Sequence, residues 1–394
     1  MQFAQRVLDL QPSATIALSE QAKKLSAQGV DVINLTTGEP DFATPELIKQ
    51  AAIKAIEADQ ANSYTSASGI PALKQGIAAQ VNQQYGTTFT AANVAVTTGA
   101  KLGLYLLGQA LLDQGDEVLI PVPFWVSYGE QVKLAGGRPV FVQPQNTSGK
   151  VDVAALDQVV SAKTKLLILN SPQNPSGLVY SKDELQEIGE WAVSHDIIIL
   201  TDDIYRDLVY NQTEFHSTLE LTGAIAKQTI LVSGFSKSYA MTGWRVGYVV
   251  GAQALISKVN ALLGQTTSNL TAVSQYAALA ALDLPQAQIE EMRSSYEQRL
   301  NHFYPQIAAI PGFSFPVKPQ GAFYFFPDVR EALKMTGIAT TTEFAAQLLA
   351  EAHVALVPGE AFGQPGFVRL TYAADETSLA ECVARLNQFM KLHM

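Results

Sequence analysis

Two basic residues eight positions apart pose the first chemical question of this chain. Lys237 closes Ser233-Gly-Phe-Ser-Lys237, just after the apolar run Thr229-Ile-Leu-Val232, and Arg245 follows in Met241-Thr-Gly-Trp-Arg245-Val-Gly-Tyr. A lysine desolvated at the end of a buried strand gives up its proton more readily and can condense with an aldehyde to form a Schiff base. An arginine offers its planar fork to a phosphate ester. Together the two describe a ligand carrying both groups, and pyridoxal 5′-phosphate (PLP) is such a ligand. Alone, a lysine or an arginine near a strand end is more often an ordinary surface charge.

The elements that would have to position them are visible as short runs rich in Val, Ile and Leu. These are Asn93–Thr97, Glu117–Pro121, Arg138–Val142, Lys165–Leu169, Asp196–Leu200, Thr229–Val232 and Arg245–Val250. Unbroken apolar runs between helical stretches indicate strands buried on both faces, as in a mostly parallel sheet covered by helices. Ligands of such sheets sit beyond the carboxyl ends of the strands. The residues just after each run are therefore the candidates.

After the first run, Thr98-Gly99-Ala100-Lys101 opens a helix whose small residues let backbone N–H groups approach a phosphate. A tight strand–helix turn would need the same glycine. Trp125, after the second run, has a face that can stack on a flat ring, or it is a core residue. Asn170-Ser-Pro-Gln-Asn174-Pro-Ser-Gly177 is a stiff loop whose Asn174 amide can donate to a ring oxygen, or a plain turn. Asp202 and Asp203 follow the fifth run, with Tyr205 close by. A buried carboxylate needs a partner, and a protonated pyridine nitrogen is one. The alternative for the pair is capping of a following helix, above all for Asp203. Five successive strand ends thus carry a phosphate cradle, a ring stacker, an oxygen donor, a pyridinium partner and a lysine.

Composition narrows the field. The chain has 394 residues, 47% hydrophobic and 16% charged, with a net charge of −10 and a single cysteine. Such a length suggests a large and a small domain around sizeable cores. The acidic balance argues against nucleic acid as a partner. One cysteine excludes an intrachain disulfide and a Cys-rich metal site, and Cys382 reads as a packed helical residue. There is no signal-peptide core and no run of about 18 apolar residues, so a cytoplasmic protein without a membrane partner is expected. The expected division is residues 1–44 packing on the small domain, 45–289 as the large domain and 290–394 as a small α+β domain. In the latter, a charged helix over 288–300 leads into strands around 313–315, 321–326, 355–358 and 367–371.

On these residues the chain resembles the PLP-dependent aminotransferases of the aspartate aminotransferase superfamily, class I, from Pro12-Ser-Ala-Thr-Ile to Arg369-Leu-Thr-Tyr. The resemblance is carried in order by Thr37-Gly-Glu-Pro-Asp-Phe42, Tyr64 before Gly69-Ile-Pro71, Asn170–Gly177, Asp202-Asp-Ile-Tyr205 and Ser236-Lys237. Pro12-Ser-Ala-Thr and Trp125-Val-Ser-Tyr128 are most similar to the bacterial branch of aspartate aminotransferases. It implies the α/β PLP-transferase fold type I, with a mostly parallel seven-stranded sheet and a smaller α+β domain. It further implies that Lys237 binds PLP and moves the substrate Cα proton, and that Asp202 protonates the ring nitrogen. Asn174 and Tyr205 would bond the ring O3′ and Trp125 stack on the ring. Gly99, Ala100 and Arg245 would take the phosphate, with Lys101 and Ser236 around the cofactor. Tyr64 would enter from the second subunit of a homodimer with shared sites. Arg369, beside Asn174, would bind the substrate α-carboxylate, and the Gly38 backbone would close over it.

Three departures from the animal members stand out. Gly234 replaces a phosphate-binding serine, Tyr128 a histidine behind the aspartate, and Gln265–Leu270 holds no counterpart of the arginine for a distal carboxylate. In the bacterial branch a lysine at the position of Lys101, with hydroxyls matching Ser13 and Thr15, serves instead. The implied reaction is L-aspartate plus 2-oxoglutarate to oxaloacetate plus L-glutamate by a ping-pong cycle. An aromatic or broad-range aminotransferase is the alternative, and a PLP β-lyase a more remote one.

Overall fold

Seven of the apolar runs hydrogen-bond into one sheet in the computed structural model, which describes every residue except Ser13 and Thr222. In spatial order the strands are Val94–Thr98, Val246–Val250, Thr229–Gly234, Ile198–Asp202, Thr164–Asn170, Glu117–Pro121 and Arg138–Val142. Six run parallel to one another, and Val246–Val250 runs antiparallel to both its neighbours. The mostly parallel α/β fold expected from the runs is the fold observed. Four strands reach further than their apolar runs, to Thr98, Asn170, Asp202 and Gly234, and Asn170 and Asp202 lie within the ladder, paired with each other.

Side-chain parity explains why the runs are unbroken, since successive residues of a strand face opposite sides of the sheet. Val118, Ile120, Leu166, Ile168, Leu200 and Val232 pack on one side with Leu104, Leu107, Val132 and Val259. Those four come from the helices Gly99–Leu111, Ser127–Leu134 and Gln253–Thr266. Leu119, Leu167, Leu169 and Ile199 face the other side, against Leu185, Ile188 and Trp191 of the helix Lys182–Ser194. Both layers are apolar, so no position of a central strand is free to be polar until its end.

The chain after this sheet builds a different core. Helix Gln286–Ala308 leads to an antiparallel three-stranded sheet in the order Val357–Pro358, Val368–Thr371, Tyr324–Phe325. The helix Glu376–His393 closes the chain and contributes Leu386, Phe389 and the buried Cys382 to the core around it. Cys382 is thus a packed helical residue, its thiol pushed up to about 12 by burial. Near the N-terminus, Ile33–Asn34 pairs in parallel with Val354–Ala355, so this early segment belongs to the later core.

One expected strand is absent: residues 313–315 make only a single bridge, Ser314 to Asp328. Gly312 sits at φ +78° on one side, and Pro316, which has no N–H to donate, follows on the other. The charged helix expected over 288–300 is longer, spanning Gln286–Ala308. Among the described residues no helix is long and apolar enough to cross a membrane.

Candidate active site

Beyond the carboxyl ends of the parallel strands lies an open cavity of about 620 Å³, bordered on its other sides by the helix Ala14–Ala27, the segment 36–39 and Arg369 of the small sheet. Ala100, Lys101, Trp125, Asn174, Asp202, Tyr205, Ser236, Lys237 and Arg245 line it from the large sheet. Thr15, Gly38 and Arg369 line it from the opposite side. Ser13 lies outside the described residues. Gly99 stands just behind the wall, and Tyr64 does not reach this cavity: it is 91% exposed elsewhere on the surface.

Asp202 ends its strand with its carboxyl buried. Tyr128 donates to Oδ2 at 2.7 Å and the Ile204 N–H to Oδ1 at 3.3 Å. Burial pushes its pKa up to about 6, while the Tyr128 bond pulls the other way. Tyr128, whose place a histidine takes in related animal enzymes, is therefore the group that holds this acid from behind. Asn170 Nδ2 donates to the Asp202 carbonyl at 2.9 Å, and its Oδ1 accepts from the Asn174 N–H at 2.9 Å. Asn170 thereby fixes the loop that presents Asn174.

Asp203 takes no part. It is 1% exposed and points away, accepting from Thr201 Oγ1 at 2.6 Å and Tyr85 Oη at 3.1 Å. The helix-capping alternative for it fails because no helix follows, only turns over 204–207.

Lys237 is partly buried, its ammonium donating to the Gly38 carbonyl and lying 5.5 Å from the ring centres of both Tyr205 and Phe323. Burial pushes its pKa down to about 8, against the opposing pull of Glu39. Arg369 is 3% exposed, with Nη1 donating to Asn174 Oδ1 at 3.1 Å and Nη2 to the Thr36 carbonyl at 2.5 Å. Among the described residues its buried Nε has no hydrogen-bond partner. Among the described residues Lys101, Lys237, Arg245 and Arg369 form no ion pair.

The start of the helix Gly99–Leu111 is packed to the limit. Gly99 has φ +72°, and a Cβ there would strike the Arg245 guanidinium. A Cβ on Gly247 would strike the Ala100 nitrogen. Arg245 itself has φ +58°, unusual for a residue with a side chain, and donates to the Thr242 carbonyl at 3.0 Å. Lys101 Nζ lies 4.8 Å over the Trp125 ring, its pKa lowered by desolvation and then by Arg245. Trp125 meets Tyr128 edge to face at 5.4 Å.

Several lining residues were not singled out from the sequence: Tyr324, Asn170, Thr36, Glu39, Glu20 and Lys23. Tyr324 had a signal, a lone hydroxyl in the aromatic run Phe323-Tyr-Phe-Phe326, since a buried phenol needs a partner. Its hydroxyl lies 2.7 Å from that of Tyr205.

Comparison with known proteins agrees with this arrangement. Residues 30–386 match the family model "Aminotransferase class I and II". The chain is 48% identical over 390 residues to the asparagine–oxo-acid transaminase of Streptococcus mutans, with 99% of each chain covered. It is 48% identical over 392 residues to the aspartate aminotransferase of Geobacillus stearothermophilus, again with 99% of each covered. Among solved structures, the Thermus thermophilus aspartate aminotransferase with maleate superimposes with a TM-score of 0.92 at 36% identity, covering 98% of this chain and 99% of that one. A lysine and an unpaired buried arginine facing each other across a strand-end cavity thus sit in a chain that belongs to the class I and II aminotransferases.

Proposed function

We propose that the chain is a PLP-dependent transaminase that exchanges the amino group of L-aspartate with 2-oxoglutarate, giving oxaloacetate and L-glutamate. The observation that carries it is the pairing of Lys237, with its depressed pKa, and Arg369, a buried cation with an orphaned Nε and no acid beside it. A buried cation without a counter-ion is costly unless an anion arrives.

The residues fit PLP. Lys237 would hold its aldehyde carbon, Asp202 its ring nitrogen, Asn174 and Tyr205 its ring oxygen, and Trp125 one ring face. Gly99, Ala100, Ser236 and Arg245 would hold the phosphate, where glycine is required and Arg245 is free of carboxylates. When bound, PLP supplies an electron sink that lets an amino group pass between an amino acid and a 2-oxo acid.

The protein's own groups do the rest. Arg369 takes the substrate α-carboxylate on its fork, oriented by Asn174 and the Thr36 carbonyl. Lys237, part of whose population is neutral near pH 8, takes the Cα proton of the amino donor and passes it on within the first half-reaction, and in the second it delivers a proton to Cα of the new amino acid. Asp202 stays ionised opposite a protonated ring nitrogen because Tyr128 and the Ile204 N–H stabilise its charge. Lys101, held over Trp125 with Thr15 across the cavity, receives the second carboxylate of aspartate or glutamate. Its charge distinguishes dicarboxylates from aromatic donors. Tyr64, exposed on its own chain, serves the cavity of a second copy in a homodimer with shared sites.

A donor panel of Asp, Glu, Asn, Phe and Tyr with 2-oxoglutarate tests the reading. Aspartate is expected to lead. Phenylalanine or tyrosine leading would replace it with an aromatic transaminase. Equilibrium sedimentation, together with activity regained on mixing inactive Tyr64 and Lys237 variants, tests the shared site.

A further inference from the structure

Arg369, Tyr324 and Tyr205 form a continuous line across the cavity, from the small sheet to the large one. The Arg369 guanidinium lies between two rings, 4.5 Å from the centre of Tyr324 and 5.0 Å from that of Phe362. Tyr324 is fully buried, and its hydroxyl has the Tyr205 hydroxyl as partner at 2.7 Å. The same oxygen forms the floor beneath Gly38, where a Cβ would fall 2.5 Å from it. A phenylalanine would pack equally well on Arg369 and leave more room under Gly38. The oxygen therefore needs a reason other than filling space.

We infer that Tyr324 is a positioning residue that links the carboxylate-binding arginine to Tyr205, so that occupancy of Arg369 is felt at the ring oxygen Tyr205 serves. The inference rests on the PLP reading above. With Tyr324 donating to Tyr205, the hydrogen of Tyr205 is committed to the ring oxygen, and bonds in series strengthen one another. The positive charge over the Tyr324 ring makes its phenol a better donor, and Arg369 acts on Tyr324 in that direction. A carboxylate on Arg369 cancels the charge and weakens the series.

Other charged or titratable groups face this pair. Glu39 acts on Tyr324, while Asp202, Lys237 and Tyr128 act on Tyr205. All remain in Tyr324→Phe, which removes one oxygen and keeps the ring against Arg369. Asn174, which accepts from Arg369 and would meet the same ring oxygen, is a second route that the variant leaves in place, so the difference from the parent isolates the Tyr324 link.

The experiment is a pH titration of the visible absorption of the PLP-loaded enzyme, with and without succinate, a dicarboxylate that has no amino group to transfer. A hydrogen bond to the deprotonated form lowers a pKa, so losing the Tyr324 hydroxyl raises the midpoint, by about 0.5–1 pH unit. Succinate is expected to shift the midpoint upward in the parent enzyme and by a smaller amount in Tyr324→Phe, where only the Asn174 route remains. Succinate affinity in that variant stays within about threefold of the parent. Tyr324→Leu, which also removes the ring, weakens succinate by about tenfold. A Tyr324→Phe midpoint and succinate response equal to the parent's would overturn the link, as would a loss of succinate affinity as large as that of Tyr324→Leu. Parent enzyme that shows no pH-dependent band after loading with PLP would overturn the cofactor reading itself, and the link with it.

Discussion

On the outer surface, Arg293 lies against Glu290 and Glu297, Arg330 against Asp328, and Arg385 against Asp31 and Glu381. At the cavity, Lys101, Lys237, Arg245 and Arg369 have no such acid among the described residues; Lys101 and Arg245 face solvent, but Lys237 is partly buried and Arg369 fully so, where an unpaired charge costs more. Stability alone would distribute the acids the other way. The difference teaches that the cavity's cations are arranged for anions supplied from outside: a phosphate at Arg245, an α-carboxylate at Arg369 and a distal carboxylate at Lys101. The folded chain bears the cost until those anions bind, and binding then returns it as stability.

The comparison breaks most completely at Lys237. Lys237→Ala should abolish steady-state transamination while leaving a folded protein that still takes up PLP. Turnover within tenfold of the parent would remove the lysine from the chemistry. Next comes the pair of acids. Asp202→Ala should cut kcat by several powers of ten with PLP still bound, whereas Asp203→Ala, remote from the cavity, should act chiefly on the melting temperature. A reversed pattern in single-turnover kinetics would exchange their roles.

Arg369→Leu should weaken every amino and 2-oxo acid alike, since all carry the α-carboxylate. Truncating one partner of a buried charge pair costs roughly 2–5 kcal/mol, about 30- to 4000-fold in kcat/KM. A loss confined to acidic substrates would move Arg369 to the side-chain end of the site. Lys101→Ser should lower kcat/KM for aspartate and glutamate by roughly ten- to a hundredfold relative to phenylalanine, the range of one charged hydrogen bond. Equal losses for acidic and aromatic donors would reduce Lys101 to a contributor of general positive potential.

The smallest effects sharpen the contrast between surface and cavity. Without PLP, the folded Lys237 binds fewer protons than the unfolded chain between pH 8 and the ordinary lysine range, so its penalty is present below pH 8 and fades as pH rises. Lys237→Ala apoprotein should therefore melt higher than the parent at pH 7, and its advantage should shrink toward pH 10. Arg385→Ala, which breaks a surface network, should cost about 0–1 kcal/mol, less at high salt. A destabilised Lys237→Ala apoprotein at pH 7 would contradict the view of an unpaired cavity charge.

What could be read from residues alone follows the sheet. Parallel strands put their carboxyl ends on one rim, so the polar residues after each apolar run had to meet, and Asn174, Asp202, Tyr205 and Lys237 do. Residues whose place depends on how the second core docks were not readable in that way. Tyr324 is hidden in an aromatic run that serves the small core equally, and Thr36 matters through its carbonyl, which no side-chain pattern announces. The capping alternative for Asp203 fails because its partners are Thr201 and Tyr85, the latter 118 residues away, beyond what a local pattern can show. The strand expected at 313–315 failed for a local reason, its flanking glycine and proline.

The one reversed strand of the large sheet explains a distance along the chain. A connection between two parallel strands must travel the length of the sheet and back, which takes a dozen residues or more. Lys237 follows the strand Thr229–Gly234, whereas Arg245 precedes Val246–Val250. Because that next strand turns back, the chain never leaves the rim, and eight residues suffice to bring both side chains to the same cavity. Had the strand run parallel, Arg245 would stand at the far end of the sheet, about 17 Å away for five residues of strand. A lysine and an arginine this close in sequence, bracketed by two apolar runs, are thus a mark of strand direction as well as of chemistry.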